Sequence, residues 1–296
     1  MTLSLIWRSE GRLHMASDSR IKFANSFADV GVKVMRLPIH AYGTGGGGVT
    51  LNTLLRKHYG FCYSGSLANA ATFKALIEDL LDGVQFVGDE HELSFDNICE
   101  FVRHYCNRIS TEMCACMFEN GQYGFFLAGY CPLQSRLRAA VFTFQQDNGE
   151  SVAQYTEVVK DEGSYEAIGT GADEARRLVT CISFKEMLLL LNRVIDEGHV
   201  PSVGGDIQYG SFGETGDFSV YGVIRISQEH VDDGERKYGP SELRMFKYRG
   251  FQLYEDWKFQ IDKFWPSPGF IELKVPSNEG SQAYFIQKCR EPISGR

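Results

Sequence analysis

No apolar run in this 296-residue chain approaches the roughly 20 residues that a helix needs to cross a bilayer. The N-terminus also lacks the basic region and apolar stretch of a secretory signal, so the expected location is the cytoplasm. Excess positive charge is missing too: 30 Lys and Arg against 38 Asp and Glu leave a formal net charge of −8. Nucleic acids and anionic membranes demand clustered cations, so neither is an expected partner. No internal repeat, low-complexity tract or heptad pattern is visible.

Metal-binding patterns are equally scarce. The seven histidines form no His-Glu-x-x-His set. Of the eight cysteines only Cys114-Ala115-Cys116 contains a close pair, and no second pair completes a zinc spacing. Scattered among apolar segments of a chain too large to need staples, the cysteines read as reduced core residues. Gly43, Gly45 and Gly48 satisfy Gly-x-Gly-x-x-Gly, but no Lys-Ser/Thr follows and no acidic residue lies about 20 positions on. That segment reads as a flexible glycine loop. No metal and no cofactor is expected. His14, inside an apolar strand pattern, reads as a satisfied buried polar residue rather than a base or a ligand.

What the chain does have begins at its second residue. Removal of Met1 would give Thr2 a free α-amine, and an amine with a reference pKa of roughly 7.7–8.0 can take the proton of the adjacent hydroxyl. Nucleophile and base are then one residue. A lysine near that hydroxyl lowers the cost of an alkoxide, and an aspartate beside the lysine keeps it charged and oriented; Lys33 and Asp18 fit these roles. The tetrahedral intermediate needs a backbone N–H aimed at its oxyanion, and a glycine at a strand-to-helix turn lets substrate approach closely. Gly65 sits at such a junction. Segments 3–7 and 13–16 read as two strands around the turn Ser9-Glu10-Gly11-Arg12, and 33–37 reads as a third that brings the lysine alongside.

These residues resemble the N-terminal half of proteasome β-type subunits, which are N-terminal-nucleophile hydrolases of the threonine peptidase class. The matching positions are Thr2, Ala16-Ser17-Asp18-Ser19-Arg20, Lys33 and the run from Gly60 to Ala70 with Ser64-Gly65-Ser66 at its centre. Tyr165-Glu166-Ala167-Ile168-Gly169-Thr170-Gly171-Ala172 is similar to the strand and turn carrying the family's auxiliary serine, and Thr170 takes that serine's place. The spelling of the Asp-Ser-Arg block and Pro201-Ser202-Val203-Gly204-Gly205-Asp206-Ile207 resemble bacterial proteasome homologues of the Anbu type more than the classical subunit. Two departures stand out. The connection from Lys33 to Gly65 is long and reads as an insertion containing the Gly43–Gly48 loop. The Asp-x-x-Ser-Gly-Gly block that supports the amine is not cleanly spelled: Asp196, Ser202 and Asp206 are all candidates, and Arg20 is a further supporting residue.

Helices are expected at 68–81, 95–116, 172–179 and 184–197, and strands at 123–130, 137–145, 154–159, 165–169 and 218–226. That order predicts an α+β fold, a four-layer αββα sandwich of two antiparallel sheets with helices outside both, the fold the resemblance also implies. The hydrolase domain is expected over 1–226. Residues 227–296 form an aromatic-rich extension, packed on the body of its own subunit or at an oligomer interface. The resulting expectation is a cytoplasmic threonine hydrolase of peptide or amide bonds, using Thr2, Asp18, Lys33, Gly65 and Thr170. The resemblance implies a ring or stacked-ring homo-oligomer that acts on peptides or unfolded chains, with an ATPase as a conceivable partner. Two alternatives stand beside it: a small-molecule amidase or acylase on the same fold, and a catalytically silent assembly subunit.

Overall fold

Alternation of apolar residues with period two sets the framework, and each strand sends one row of side chains to either face. The computed structural model describes residues 2–23, 26–43, 52–87, 89–117, 122–147, 150–227, 245–248, 251–252 and 269–275. The chain starts with the hairpin β1 (Ser4–Ser9) and β2 (Arg12–Asp18), then a small separate hairpin of β3 (Ile21–Phe23) and β4 (Ser26–Ala28). Two long strands follow, β5 (Val34–Gly43) and β6 (Thr53–Gly65), leading into α1 (Leu67–Leu81), the short β7 (Val84–Phe86) and α2 (Phe95–Met117). A meander of β8 (Tyr123–Cys131), β9 (Arg136–Asp147) and β10 (Glu150–Val158) is followed by β11 (Tyr165–Ile168), α3 (Ala172–Leu178) and α4 (Phe184–Glu197). β12 (Ile207–Phe212) and β13 (Phe218–Ser227) come next, and the extension contributes β14 (Met245–Tyr248), β15 (Phe251–Gln252) and β16 (Phe270–Val275).

The molecule is a mixed α+β structure, mostly strands, with four α-helices among the described residues. One sheet runs β11-β1-β2-β12-β13-β14-β15, with β16 also on β13; the other runs β10-β9-β8-β6-β5-β7. Pairing is antiparallel except for β16 on β13 and β7 on β5. Ile6, Leu13, Met15, Cys62, Phe126 and Phe218 form one apolar cluster from residues of both sheets. The alternate residues of β1, Leu5 and Trp7, pack with Leu188 and Leu191 of α4. Phe61 and Tyr63 of β6 pack with Phe73 of α1 and Val102 of α2. Ser66 caps α1 by accepting from Asn69 N–H at 3.4 Å, and Ser183 caps α4 through Glu186 N–H at 3.2 Å.

The expected insertion is built differently from the loop predicted for it. Most of it is two paired strands, so the strand expected at 33–37 starts one residue later and continues to Gly43. Pro38 sits inside β5 without breaking it, because β7 joins β5 only at Ala41–Gly43 and no ladder partner asks for the missing N–H. Apart from Gly43, which ends β5, the glycine loop lies outside the described residues. Of the extension's aromatics, Phe246, Tyr248, Phe251 and Phe270 are described; β16 packs on the body of its own chain, where Leu273 and Val275 are buried beside α4. The cysteines divide. Cys62, Cys99, Cys106 and Cys131 are free and buried, whereas Cys116 and Cys181 are exposed, so the core reading is corrected for those two.

His14 is the satisfied core residue that its context predicts. The Ser9 carbonyl, 3.2 Å from Nε2, can only accept, so Nε2 carries the proton and Nδ1 accepts from the Tyr209 hydroxyl at 2.8 Å. The ring stacks on Trp7 at 5.1 Å. Burial holds its pKa below the ordinary histidine value. Below about pH 6.5 the unfolded chain takes up a proton that the folded chain resists, so this group's contribution to stability falls as pH falls. Urea midpoints at pH 7.5 and 5.5 test this: wild type loses more stability on acidification than His14→Gln, and equal losses would remove His14 as the cause.

Candidate active site

The residues singled out by the sequence come from separate stretches of chain, and the ladders bring them to one end of the β1/β2 hairpin. Thr2 precedes β1, Asp18 ends β2, Lys33 precedes β5, Gly65 ends β6, and Thr170 follows β11, which pairs with β1. Thr2 and Lys33 are each 1% exposed and Asp18 is fully buried. Lys33 Nζ donates to Thr2 Oγ1 at 2.8 Å and to Asp18 Oδ1 at 2.9 Å. Burial pulls the lysine's pKa below its ordinary value, and the Asp18 charge and hydrogen bond oppose that pull.

Asp18 is held as firmly as it holds. Its Oδ1 also accepts Leu3 N–H at 3.0 Å, and its Oδ2 accepts Arg20 N–H at 3.0 Å and Gly204 N–H at 3.1 Å. Four donors thus converge on the buried carboxylate. Two residues complete this side: Gln208, which the sequence does not single out, and Ser17, which it singles out without a role. Gln208 Oε1 accepts both Lys33 N–H at 2.8 Å and Val34 N–H at 3.1 Å, and its amide donates to Gly31 O, which fixes the backbone from which the lysine projects. Ser17 Oγ donates to Leu3 O at 3.0 Å. A lone Gln in a strand buried on both faces has no local signature.

On the other side of Thr2, its backbone N–H donates to Thr170 Oγ1 at 3.2 Å, and Thr170 Oγ1 lies 2.6 Å from Ser202 Oγ. Gly171 N–H donates to Thr2 O at 3.2 Å. Two glycines are obligatory here. Gly169 has φ +99°, and a Cβ there would fall 2.1 Å from Thr2 O and 2.5 Å from Ser64 Oγ. The same measurement puts Ser64, the neighbour of Gly65, against the start of β1. Gly65 has φ +110°, and its Cβ would meet Gln122 O at 2.5 Å and Tyr123 Cα at 2.6 Å.

The three candidates for supporting the amine separate. Ser202 reaches Thr170, whereas Asp206 bonds Arg225 Nη2 at 2.6 Å and Asp196 lies 3.7 Å from Arg225 Nη1. Arg20 forms a two-pronged pair with Asp29 and donates to Pro201 O at 3.1 Å, so it supports the loop that carries Ser202. Cys62 is no competitor as a nucleophile, because burial pushes its thiol up to about 12. A cavity of about 440 Å³ lies at the opposite end of the hairpin, lined by turn residues such as Glu10, Ser135 and Thr215, and includes no candidate site residue. At the surface, Glu174, Glu197 and His199 each bring a donor atom within 4.8 Å of the others, yet Arg177 and Arg193 already engage the two carboxylates.

No protein-family model and no curated protein sequence matches the chain. Its fold is similar to that of solved Anbu structures. The solved helical assembly of the Anbu complex from Pseudomonas aeruginosa shares it with a TM-score of 0.51 over 74% of this chain and 85% of that one, at 14% identity. Anbu from Yersinia bercovieri (TM-score 0.49, 14% identity, 71% and 81% covered) and an Anbu mutant from Hyphomicrobium sp. strain MC1 (0.46, 17%, 74% and 85%) are also similar. At these identities the likeness is one of fold.

The hydrogen-bond pattern predicts unequal costs for the two halves of the ion pair. Asp18→Ala takes the carboxylate away from a buried ammonium and from the Leu3 and Gly204 N–H groups, while Arg20 N–H keeps Gly204 O, and breaking a buried pair costs about 3–5 kcal/mol. Lys33→Met leaves Asp18 with three donors and costs less. Denaturant titration of both variants checks the order, and an equal or reversed cost would show that the backbone donors contribute little.

Proposed function

We propose that this chain is a proteasome-like threonine hydrolase that cleaves peptide or amide bonds, with Thr2 as the nucleophile once Met1 is removed. The observation that carries the reading is the buried contact of Lys33 Nζ with Thr2 Oγ1 at 2.8 Å, backed by Asp18 at 2.9 Å. An alkoxide forming at Thr2 meets a fixed positive charge in a dry site, where it acts most strongly. Thr2 Oγ bonds to the carbonyl carbon while its proton passes to the freed α-amine. The carbon–nitrogen bond then breaks, and the leaving amine takes that proton. Water, deprotonated by the same α-amine, hydrolyses the acyl ester and regenerates Thr2. In this mechanism Gly65 N–H receives the oxyanion, and Thr170 with Ser202 orients the α-amine.

The reading extends to architecture. A four-layer αββα sandwich over 1–226 carries the site, and 227–296 is an extension whose strand β16 packs on it. The Pseudomonas aeruginosa neighbour is a helical assembly, and by analogy this chain self-associates, as a ring or stacked ring with inward sites that admit unfolded or short chains. An ATP-driven partner that feeds such chains, in the cytoplasm, fits that arrangement.

Intact mass gives the first test, with Thr2 expected at the N-terminus. Fluorogenic peptides should then be hydrolysed, and Thr2→Ala should lower the rate at least about a thousandfold with the oligomer unchanged by light scattering. A rate that survives Thr2→Ala removes Thr2 from the mechanism. Hydrolysis of N-acyl amides but of no peptide makes the chain an amidase, and an inert, fully processed oligomer makes it an assembly subunit.

A further inference from the structure

Residues 201–206 carry two groups that reach the site: Ser202 Oγ, 2.6 Å from Thr170 Oγ1, and Gly204 N–H, which donates to Asp18 Oδ2 at 3.1 Å. The segment is short, and its ties are well defined. Arg20 holds its start by donating to Pro201 O at 3.1 Å and from its backbone N–H to Gly204 O at 3.1 Å. Ser19 Oγ accepts Asp206 N–H at 2.8 Å. At the far end, the Asp206 carboxylate meets a guanidinium that arrives from a different strand, Arg225 of β13, at 2.6 Å.

Arg225 is 6% exposed, and its other prong is also engaged: Nη1 donates to Asn192 Oδ1 at 3.1 Å, with Asp196 at 3.7 Å and Asn192 in turn bonded to Asp196 at 2.7 Å. The guanidinium therefore joins α4, β13 and the end of 201–206 into one rigid fork, which a flexible ammonium could not reproduce. Strands β14 and β16 of the C-terminal extension flank β13 at Arg225. Opposite Arg225 lie Leu273 of β16 and Met245 of β14, and Leu273 is 2% exposed in the cluster beside α4. Exclusion of water strengthens the pair and makes it a positional constraint.

We propose that Arg225 is a positioning residue for the active-site segment 201–206, acting through Asp206, and that it couples the docked C-terminal extension to the Thr2 site. The inference rests on the hydrolase reading for its catalytic consequence but not for its structural one. Arg225→Met alone leaves the buried Asp206 carboxylate without its guanidinium and threatens the fold, so the main test is the charge-balanced pair Arg225→Met with Asp206→Leu. Replacement of a buried ion pair by apolar residues is often neutral for stability.

Hydrogen–deuterium exchange of the folded double variant should show the 202–206 amides exchanging about tenfold faster, with the β8–β9 amides unchanged. Peptide hydrolysis should fall about tenfold in kcat at constant KM. Arg225→Lys with native Asp206 should recover part of both. A folded double variant whose 202–206 amides exchange as in wild type overturns the proposal. If the double variant does not fold, Arg225→Lys decides: faster exchange confined to 202–206 supports the proposal and unchanged exchange overturns it. A wild type that hydrolyses nothing defeats the hydrolase reading alone, since the exchange measurement still decides whether Arg225 holds the segment.

Discussion

A single buried carboxylate with four donors governs the geometry around Thr2. Burial of an isolated charge costs several kcal/mol, and Asp18 meets that cost with one ammonium and three backbone N–H groups. Each donor belongs to a different structural constraint. Leu3 N–H fixes the approach to β1, Arg20 N–H the turn out of β2, Gly204 N–H the segment bearing Ser202, and Lys33 the approach to β5. The carboxylate is therefore a vertex where four chain segments meet, and a shift of any one of them moves Lys33 relative to Thr2 Oγ1.

This vertex can exist because it lies where the ladders run out. Along β1 and β2 the backbone groups are committed to neighbouring strands, from Ser4 opposite Ser17 to Ser9 opposite Arg12. Beyond the hairpin's open end they become available, and Leu3, Arg20 and Gly204 spend their N–H groups on the Asp18 side chain. Apolar packing of β1 and β2 residues on both faces holds that end rigid. Fixed donors around a fixed charge need no rearrangement when further charge develops beside them.

Legibility in the sequence followed the local strength of the pattern. α4 was readable end to end, since Ser183 caps it, its apolar residues recur at helical spacing, and Gly198 closes it in a left-handed conformation. β12 was not readable as a strand, because all six of its residues are buried and no alternation remains. The glycine run between β5 and β6 carries no strand signal, which masks the pairing of the segments that flank it. Among the candidate residues, Thr2, Asp18, Lys33, Gly65 and Thr170 stand out in the sequence; Gln208 does not, since it accepts two N–H groups from a segment 175 residues away. Asp206 was named for the amine, yet its carboxylate faces Arg225, a pairing that spacing along the chain does not encode.

By itself the sequence determined which candidate groups are present: a threonine, an acid and a lysine at workable distances along the chain, and glycines at the turns between them. It also determined the helices and most strands, because periodicity and capping act over a few residues. Only the tertiary structure decided which of several polar residues meets which. Hydrogen bonds and buried ion pairs are short-ranged and directional, so the choice of Ser202 for Thr170, Gln208 for the backbone of Lys33 and Arg225 for Asp206 is made when β11, β12 and β13 dock, and at no earlier level of organisation.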